Sequence, residues 1–161
     1  MNTLTIERTF QTTAEQLWAL HSQKEHLIHW YSPVGFQTEV LELNFEPGGE
    51  MFYRQYNDQG EMYGKVFYHT LDKPHLMEFS NGFADDSGQL VRHPMAPSWP
   101  LKIHNSLTFT EDGDETVLKI VCTPVDASEE ELATFKGAFD AVRGGFGGML
   151  DQLESYLREV G

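Results

Sequence analysis

The clearest periodic pattern of the chain lies in residues 128–157, which read SEEELATFKGAFDAVRGGFGGMLDQLESYL. Its apolar side chains recur at steps of three and four residues, as on one face of a helix. Ser128 and Glu131 form a capping box at its start. We predict one helix of about 30 residues, about 45 Å long. A helix of this length must cross the whole molecule and pack its apolar stripe against a sheet. The stripe consists of Leu132, Phe135, Phe139, Val142, Phe146, Met149, Leu150, Leu153, Tyr156 and Leu157.

Five glycines interrupt this predicted helix: Gly137, Gly144, Gly145, Gly147 and Gly148. Each costs about 1 kcal/mol relative to alanine in a helix interior, so something must offset the cost. Close packing of the helix on the sheet is the interpretation we favour. The alternative is that the glycines let the helix bend or leave space for a ligand.

The first 30 residues predict a strand followed by two short helices. Residues 3–10 alternate between apolar and polar side chains, as in a half-buried strand. Thr13 and Gln16, three residues apart, are typical of a helix start, and the preceding pair, Thr12 and Glu15, has the same spacing. A second box, formed by Ser22 and Glu25, would open another helix.

Between residues 36 and 123 the apolar period is two, which predicts six more strands. Short turns join most of them, so neighbouring strands should be antiparallel. The whole chain is therefore α+β, with a sheet of six to seven strands and the long helix at its C-terminal end. The predicted strands are residues 36–45, 50–56, 61–72, 75–81, 102–110 and 116–123.

Residues 82–100 interrupt the strand pattern. They contain three prolines, Pro94, Pro97 and Pro100, and cannot form a regular central strand. A long loop inside a compact domain is usually functional or mobile. The alternative is an ordered surface excursion that Trp99 pins in place.

Composition narrows the class of protein. The chain has 161 residues, which predicts a single domain over residues 1–161, and its net charge is −14. Such an acidic surface repels nucleic acids and anionic membranes. One cysteine, Cys122, forms no internal disulfide, and neither a signal peptide nor an apolar stretch of about 18 residues is present. We therefore predict a cytoplasmic protein that binds neither nucleic acid nor membrane.

Several short motifs, in this order, resemble one known family. His29-Trp30-Tyr31-Ser32-Pro33 is similar to its W-F-G-P segment, and Pro47-Gly48-Gly49 to its P-G-G turn. Tyr63-Gly64-Lys65-Val66 is similar to its glycine-bearing strand, and Gly145-Phe146 to the G-W of its C-terminal helix. The family is the bacterial-type, AHSA1-like (activator of Hsp90 ATPase homologue) branch of the START-like, or SRPBCC, superfamily. Phe146 replaces a frequent Trp, and Glu46 replaces a frequent Arg.

The resemblance implies a helix-grip fold, in which a curved antiparallel sheet surrounds the C-terminal helix and leaves an apolar cavity. Members of the superfamily bind lipids, polyketides, hormones and other apolar molecules, and a few are cyclases or hydrolases. We therefore predict that the chain binds a small hydrophobic or amphipathic ligand. A cyclase-like or hydrolase-like enzyme using the same cavity is the first alternative, and a chaperone-associated interaction protein is the second.

Strand alternation and the helical stripe supply the candidate ligand-binding residues. Either face of each strand is allowed to line the cavity at this point. Tyr53, Tyr63, His69 and His104 would orient a ligand or serve as acid and base, and His93 and Trp99 would lie at the mouth. The candidates are Trp30, Met51, Tyr53, Tyr63, Phe67, His69, Met77, Phe79, Trp99, His104, Phe139, Phe146 and Met149.

The sequence predicts no metal, cofactor or catalytic residue. His26 and His29 share a helix face, but a zinc site needs three or four ligands. Cys122 alternates with Leu118 and Ile120 and is predicted to be a core residue. Both a monomer and a homodimer are compatible with this sequence.

Overall fold

A computed structural model describes residues 3–160 and confirms the predicted α+β architecture. Within this range, seven strands form one antiparallel sheet in the order β1-β7-β6-β5-β4-β3-β2. No helix in the described range is both long and apolar enough to cross a membrane. The elements are β1 Leu4–Phe10, α1 Ala14–Ser22, α2 Lys24–Trp30, β2 Gln37–Leu43, β3 Glu50–Asn57, β4 Gly60–Asp72, β5 Leu76–Ala84, β6 Ile103–Asp112, β7 Glu115–Pro124, α3 Glu129–Gly137 and α4 Phe139–Val160.

Tight turns and two bulges shape the sheet. Asp112 pairs with Glu115, so the β6–β7 hairpin closes in two residues, and Gly113 adopts a φ of +65° there. The register shifts between Val40 and Glu42 in β2, and again between Tyr68 and Thr70 in β4. Bulges of this kind bend a strand and increase its twist. The bent sheet presents one face to the helices.

Two of the three predicted helix caps are present. The Thr13 hydroxyl accepts a hydrogen bond from the Gln16 N–H, and Ser128 and Glu131 form a complete capping box. The box predicted at Ser22 is wrong, because Gln23 is the N-cap residue of α2 and its side chain makes no cap hydrogen bond. The Ser22 hydroxyl donates instead to the carbonyl of Ala19, at 3.4 Å, in the last turn of α1.

The predicted single C-terminal helix is divided in two. Ala138, with φ −100° and ψ 6°, leaves the helical path between α3 and α4. Its N–H bonds to the carbonyl of Phe135, three residues back, at 3.1 Å. Gly137 precedes the break, and proline is the only residue type that is a poorer helix former than glycine. The change of direction buries Phe135 to 1% exposure, with its ring 5.3 Å from that of Phe139.

The C-terminal part of α4 is held firmly against the rest of the molecule. Leu150, Leu153 and Leu157 are buried in the core. The Gln152 amide donates to the carbonyls of Trp30, at 3.1 Å, and Ser32, at 2.8 Å. Trp30 itself donates its indole N–H to the carbonyl of Leu20, at 2.9 Å. Helices α1, α2 and α4 are thereby joined into one layer over the sheet.

Strand β5 extends to Ala84, three residues into the predicted 82–100 loop, and the rest of that loop lies against α3. The Trp99 ring packs 5.5 Å from the Phe135 ring, and the hydroxyls of Ser98 and Thr134 are 2.8 Å apart. Arg92 forms an ion pair with Glu131 at the start of α3. These contacts agree with an ordered excursion that Trp99 pins in place.

Candidate functional site

A cavity of about 400 Å³ lies between the inner face of the sheet and the first half of α4. A second lobe of about 180 Å³ adjoins it under Trp99 and Phe135. Both lobes share Tyr53, Asn81, Phe83, Asn105, Val142 and Phe146. The remaining residues of the main lobe are His21, Trp30, Tyr31, Pro33, Gln55, Met62, Phe79, Leu107, Ile120, Gly145, Met149 and Leu150.

The mouth of the cavity lies beside the glycine-rich part of α4. Gly145 and Pro33 both line the cavity and are exposed to solvent, so the opening runs between α4 and the loop that follows α2. A Cβ added at Gly144, Gly145 or Gly147 would meet no described atom within 4 Å. Only at Gly148 would it come close to a neighbour, the Cγ2 of Val34, at 2.8 Å. Close packing, the interpretation that the sequence favoured, is therefore wrong for the other three.

A chain of hydrogen bonds fixes Asn105 and Asn81 on the cavity wall. The Asn105 amide N–H₂ donates to the carbonyl of Ile103, at 3.1 Å, and to Oδ1 of Asn81, at 2.9 Å. The Cys122 thiol donates to Oδ1 of Asn105, at 3.2 Å. Because a carbonyl can only accept, the orientation of both amides is determined, and Nδ2 of Asn81 remains as a free donor among the described residues.

Two acceptors are fixed in the same way. The Gln55 amide donates to the carbonyl of Tyr31, at 3.1 Å, which leaves Oε1 without a described partner. Nδ1–H of His21 donates to the carbonyl of Leu17, at 2.8 Å, which makes Nε2 the acceptor nitrogen of a neutral ring. His21 and Gln55 are 8% and 7% exposed.

The cavity holds its titratable groups in their neutral forms. Burial lowers the pKa of His21 to about 4, raises the pKa of Tyr31 to about 12 and raises that of Tyr53 well above its usual value. Burial also raises the pKa of the Cys122 thiol to about 12. Among the described residues, no Asp, Glu, Lys or Arg lines either lobe.

A glycine on β4 makes room for the tyrosine in the cavity wall. Tyr53 pairs with Gly64 across β3 and β4, and the tyrosine ring lies over the glycine. A Cβ at Gly64 would stand 2.3 Å from Cζ and from the hydroxyl oxygen of Tyr53. The Tyr53 ring therefore keeps its position only because residue 64 has no side chain.

The structure separates the predicted ligand-binding residues into three groups. Met51 and Met77 are buried in the core without lining the cavity, and Phe139 packs on Phe135 instead of lining it. The six that border one or both lobes are Trp30, Tyr53, Phe79, Trp99, Phe146 and Met149. The four that lie on the outer face of the sheet are Tyr63, Phe67, His69 and His104.

Strand parity explains the outer group. Val66 and Tyr68 point inward on β4, so Tyr63, Phe67 and His69, which alternate with them along the strand, point outward. His69 is 2.8 Å from the Ser80 hydroxyl and stacks on His104 at 5.9 Å between ring centroids. Lys102 lies 4.6 Å from the ring centroid of Phe67. Of the four side chains that were predicted to orient a ligand or serve as acid and base, Tyr53 therefore borders the cavity and the other three lie on the outer face.

Other predicted or considered residues lie elsewhere. His93 packs edge-on against Phe83, a residue of both lobes, at 4.7 Å. His26 Nδ1 is 2.7 Å from the Tyr156 hydroxyl, and His29 stacks on the same tyrosine. In residues 3–160, no three His, Cys, Asp or Glu side chains are grouped so as to hold a metal ion.

Several polar residues of the cavity were not among the predicted ones, namely His21, Tyr31, Gln55, Asn81 and Asn105. Alternation contained a signal for three of them. Gln55 shares its strand face with Tyr53, Asn81 shares its face with Phe79, and Asn105 shares its face with Leu107. His21 lies one helical turn after the buried Leu17.

Comparisons with known proteins agree on the family and the fold. The family model described as "Activator of Hsp90 ATPase homolog 1-like protein" matches residues 11–158. No curated protein is similar enough in sequence to match the chain. A crystal structure of a Mycobacterium smegmatis protein is 26% identical, with a TM-score of 0.78 over 96% of this chain and 90% of that one.

Two further solved structures share the fold. A solution structure of an Arthrobacter aurescens protein is 21% identical, with a TM-score of 0.83 over 98% of this chain and 86% of that one. The crystal structure of the AHSA1 protein from Silicibacter pomeroyi is 20% identical, with a TM-score of 0.71 over 99% of both chains. At these identities the likeness supports the fold alone.

Proposed function

Since the chain belongs to the activator of Hsp90 ATPase homolog 1-like family, we propose that it binds a small hydrophobic or amphipathic molecule in the cavity between sheet and α4. The observation that carries the proposal is an apolar cavity of about 400 Å³ with an open mouth at Gly145. Pockets for small molecules are typically 300–1,000 Å³, mostly apolar, with a few placed polar groups.

The cost of the α4 glycines supports the same proposal. Gly144, Gly145 and Gly147 contribute no close packing, so their cost of about 1 kcal/mol each is not offset within the folded chain. A side chain at Gly145 would project at the mouth of the cavity. Access for a ligand gives the glycine at this position a physical reason.

A matched pair of helix variants tests the proposal. Gly145 lines the cavity, whereas its neighbour Gly144 is exposed and does not line it. We expect Gly145→Leu to weaken binding of the uncharged dye N-phenyl-1-naphthylamine by about tenfold or more, as followed by dye fluorescence. Gly144→Leu makes the same chemical change and should leave binding within about twofold of the unmodified protein.

Two outcomes would count against the proposal. Unmodified protein that fails to bind the dye, or any other neutral apolar probe of this size, would contradict it directly. Equal binding by both leucine variants would mean that the ligand does not enter beside Gly145. Thermal denaturation of both variants verifies that each one is folded.

A further inference from the structure

We infer that the cavity selects electrically neutral ligands that carry both a hydroxyl and a carbonyl group, an inference that rests on the proposed function. The geometry points to three side-chain atoms as the polar contacts. Nδ2 of Asn81 would donate to the ligand carbonyl, and Nε2 of His21 and Oε1 of Gln55 would accept from its hydroxyl.

These three side-chain atoms face open space. Among residues 3–160, every fully buried side-chain nitrogen or oxygen has a hydrogen-bond partner. Nδ2 of Asn81, Nε2 of His21 and Oε1 of Gln55 have none among the described residues, so they cannot be fully buried. All three residues line the main lobe, which is the open space beside them.

The donor and acceptor roles of these three atoms are set before a ligand binds. Each side chain is fixed by a backbone carbonyl, either directly or through Asn105, and a carbonyl cannot donate. These three side chains therefore present one donor and two acceptors before any ligand arrives, beside the tyrosines Tyr31 and Tyr53 that also line the main lobe. A ligand that matches this pattern avoids the cost of leaving a buried polar group unpaired, which a purely apolar ligand of the same size would not avoid.

The lack of charged side chains among the described cavity residues also restricts which ligands fit. Within residues 3–160, no Asp, Glu, Lys or Arg lines either lobe, and the buried His21 ring is neutral at pH 7.5. A buried carboxylate, phosphate or ammonium group would therefore lose its hydration without gaining a counter-charge, which is costly. The net charge of −14 would oppose an anion further. Fatty acids and phospholipids are thus disfavoured, while uncharged hydroxylated carbonyl compounds fit.

Four probes with the same two-ring skeleton test the inference by isothermal titration calorimetry at pH 7.5. Diphenylmethane has no polar group, benzophenone adds the carbonyl, 4-(hydroxymethyl)benzophenone adds a hydroxyl, and 4-benzoylbenzoate replaces that hydroxymethyl group by a carboxylate. We expect the hydroxymethyl compound to bind tightest, by about tenfold or more over both diphenylmethane and 4-benzoylbenzoate.

Variants assign the contacts to individual atoms. Asn81→Leu removes the donor and should weaken benzophenone binding by about fivefold or more without weakening that of diphenylmethane. His21→Phe removes an acceptor and should reduce the advantage of the hydroxymethyl compound over benzophenone. His104→Gln, on the outer face of the sheet, is the matched control and should change none of the four affinities.

The outcomes separate this inference from the proposed function. If 4-benzoylbenzoate or diphenylmethane binds as tightly as the hydroxymethyl compound, the inference is overturned, while the cavity still binds apolar molecules. If the cavity variants behave like His104→Gln, the three atoms are not the contacts and the inference is overturned as well. If none of the four probes binds, the proposed function itself fails.

Discussion

At the scale of single residues, the buried ring of His21 makes the stability of the folded protein depend on pH. Its ring packs between Trp30 and Phe109, with centroids 4.8 and 5.3 Å away. Burial lowers its pKa to about 4, whereas in the unfolded chain it is near 6.5. The unfolded state therefore takes up a proton first as the pH falls.

The sign of the effect follows from this order. The stability that neutral His21 contributes is complete above about pH 6.5 and is lost as the pH falls towards 4. At pH 5 we expect a loss of about 2 kcal/mol relative to pH 7.5 from this residue. Urea denaturation should show that His21→Phe loses correspondingly less stability over this interval. An equal pH dependence of both proteins would contradict the assignment.

Gly64 offers a second residue-scale prediction. Because a Cβ there would stand 2.3 Å from the Tyr53 ring, Gly64→Ala must displace that ring. We expect a loss of about 1–3 kcal/mol in the free energy of unfolding, measured by urea denaturation. In a Tyr53→Leu background, adding Gly64→Ala should cost much less stability than it does in the unmodified protein, because the ring that it would displace is absent. A Gly64→Ala protein as stable as the unmodified one would show that the ring moves without cost.

Single residues also show where the sequence was insufficient. Alternation correctly grouped Tyr63, Phe67 and His69 on one face of β4. It did not tell which face is inward, because the opposite face, with Val66 and Tyr68, also carries large side chains that fit a core. The decision depends on the pairing of Gly64 with Tyr53, a contact between strands that no local pattern contains.

At the scale of elements, the glycines of α4 predict an unusual gain in stability. Gly144 and Gly147 have no described atom within 4 Å of an added Cβ. Replacing both by alanine should raise the free energy of unfolding by about 1–2 kcal/mol, because alanine is the better helix former. Thermal and urea denaturation would measure it.

Gly148→Ala is the matched control for this pair. Its Cβ would approach Cγ2 of Val34 to 2.8 Å, so part of the gain in helix propensity should be lost to that contact. A double variant that is no more stable than the unmodified protein would mean that the glycines of α4 favour the folded state for a reason other than helix propensity.

The break at Ala138 shows the limit of periodicity at this scale. Phe135 and Phe139 are four residues apart, so the apolar stripe continues across the break as if the helix were unbroken. The break follows Phe135, whose ring packs on that of Trp99 from the 82–100 loop. That contact lies outside any helical window, and the sequence therefore predicted one helix where two are present.

At the scale of the whole molecule, acidity should oppose folding. A net charge of −14 concentrates repulsion when the chain becomes compact. We expect the thermal midpoint to rise as sodium chloride increases from roughly 10 mM to roughly 500 mM, because salt screens exposed charges. The exposed Glu42 on the edge strand provides a control, since Glu42→Lys reduces the repulsion and should reduce the gain. A midpoint that falls with salt would contradict this expectation.

The architecture of the whole molecule could be predicted from the sequence far better than its cavity could. Short turns between alternating strands lead directly to the antiparallel order, and the capping boxes at Thr13 and Ser128 locate two helix starts. The cavity instead depends on how far the side chains of the sheet and of α4 project towards each other, and on the space left at Gly145. Those quantities are set only when α4 meets the sheet.

If the cavity binds a ligand as proposed, the uneven attachment of α4 should influence how fast that ligand exchanges. Within residues 139–147, Val142, Gly145 and Phe146 line the cavity. One hydrogen bond, from Arg8 to the carbonyl of Gly147 at 3.5 Å, is the only one that a described side chain outside α4 makes to this segment. Beyond it, the helix is tied down by Gln152 and the buried leucines. A ligand larger than the open mouth would enter only when this segment moves, and for such a ligand stopped-flow traces should show an observed rate that levels off as its concentration rises.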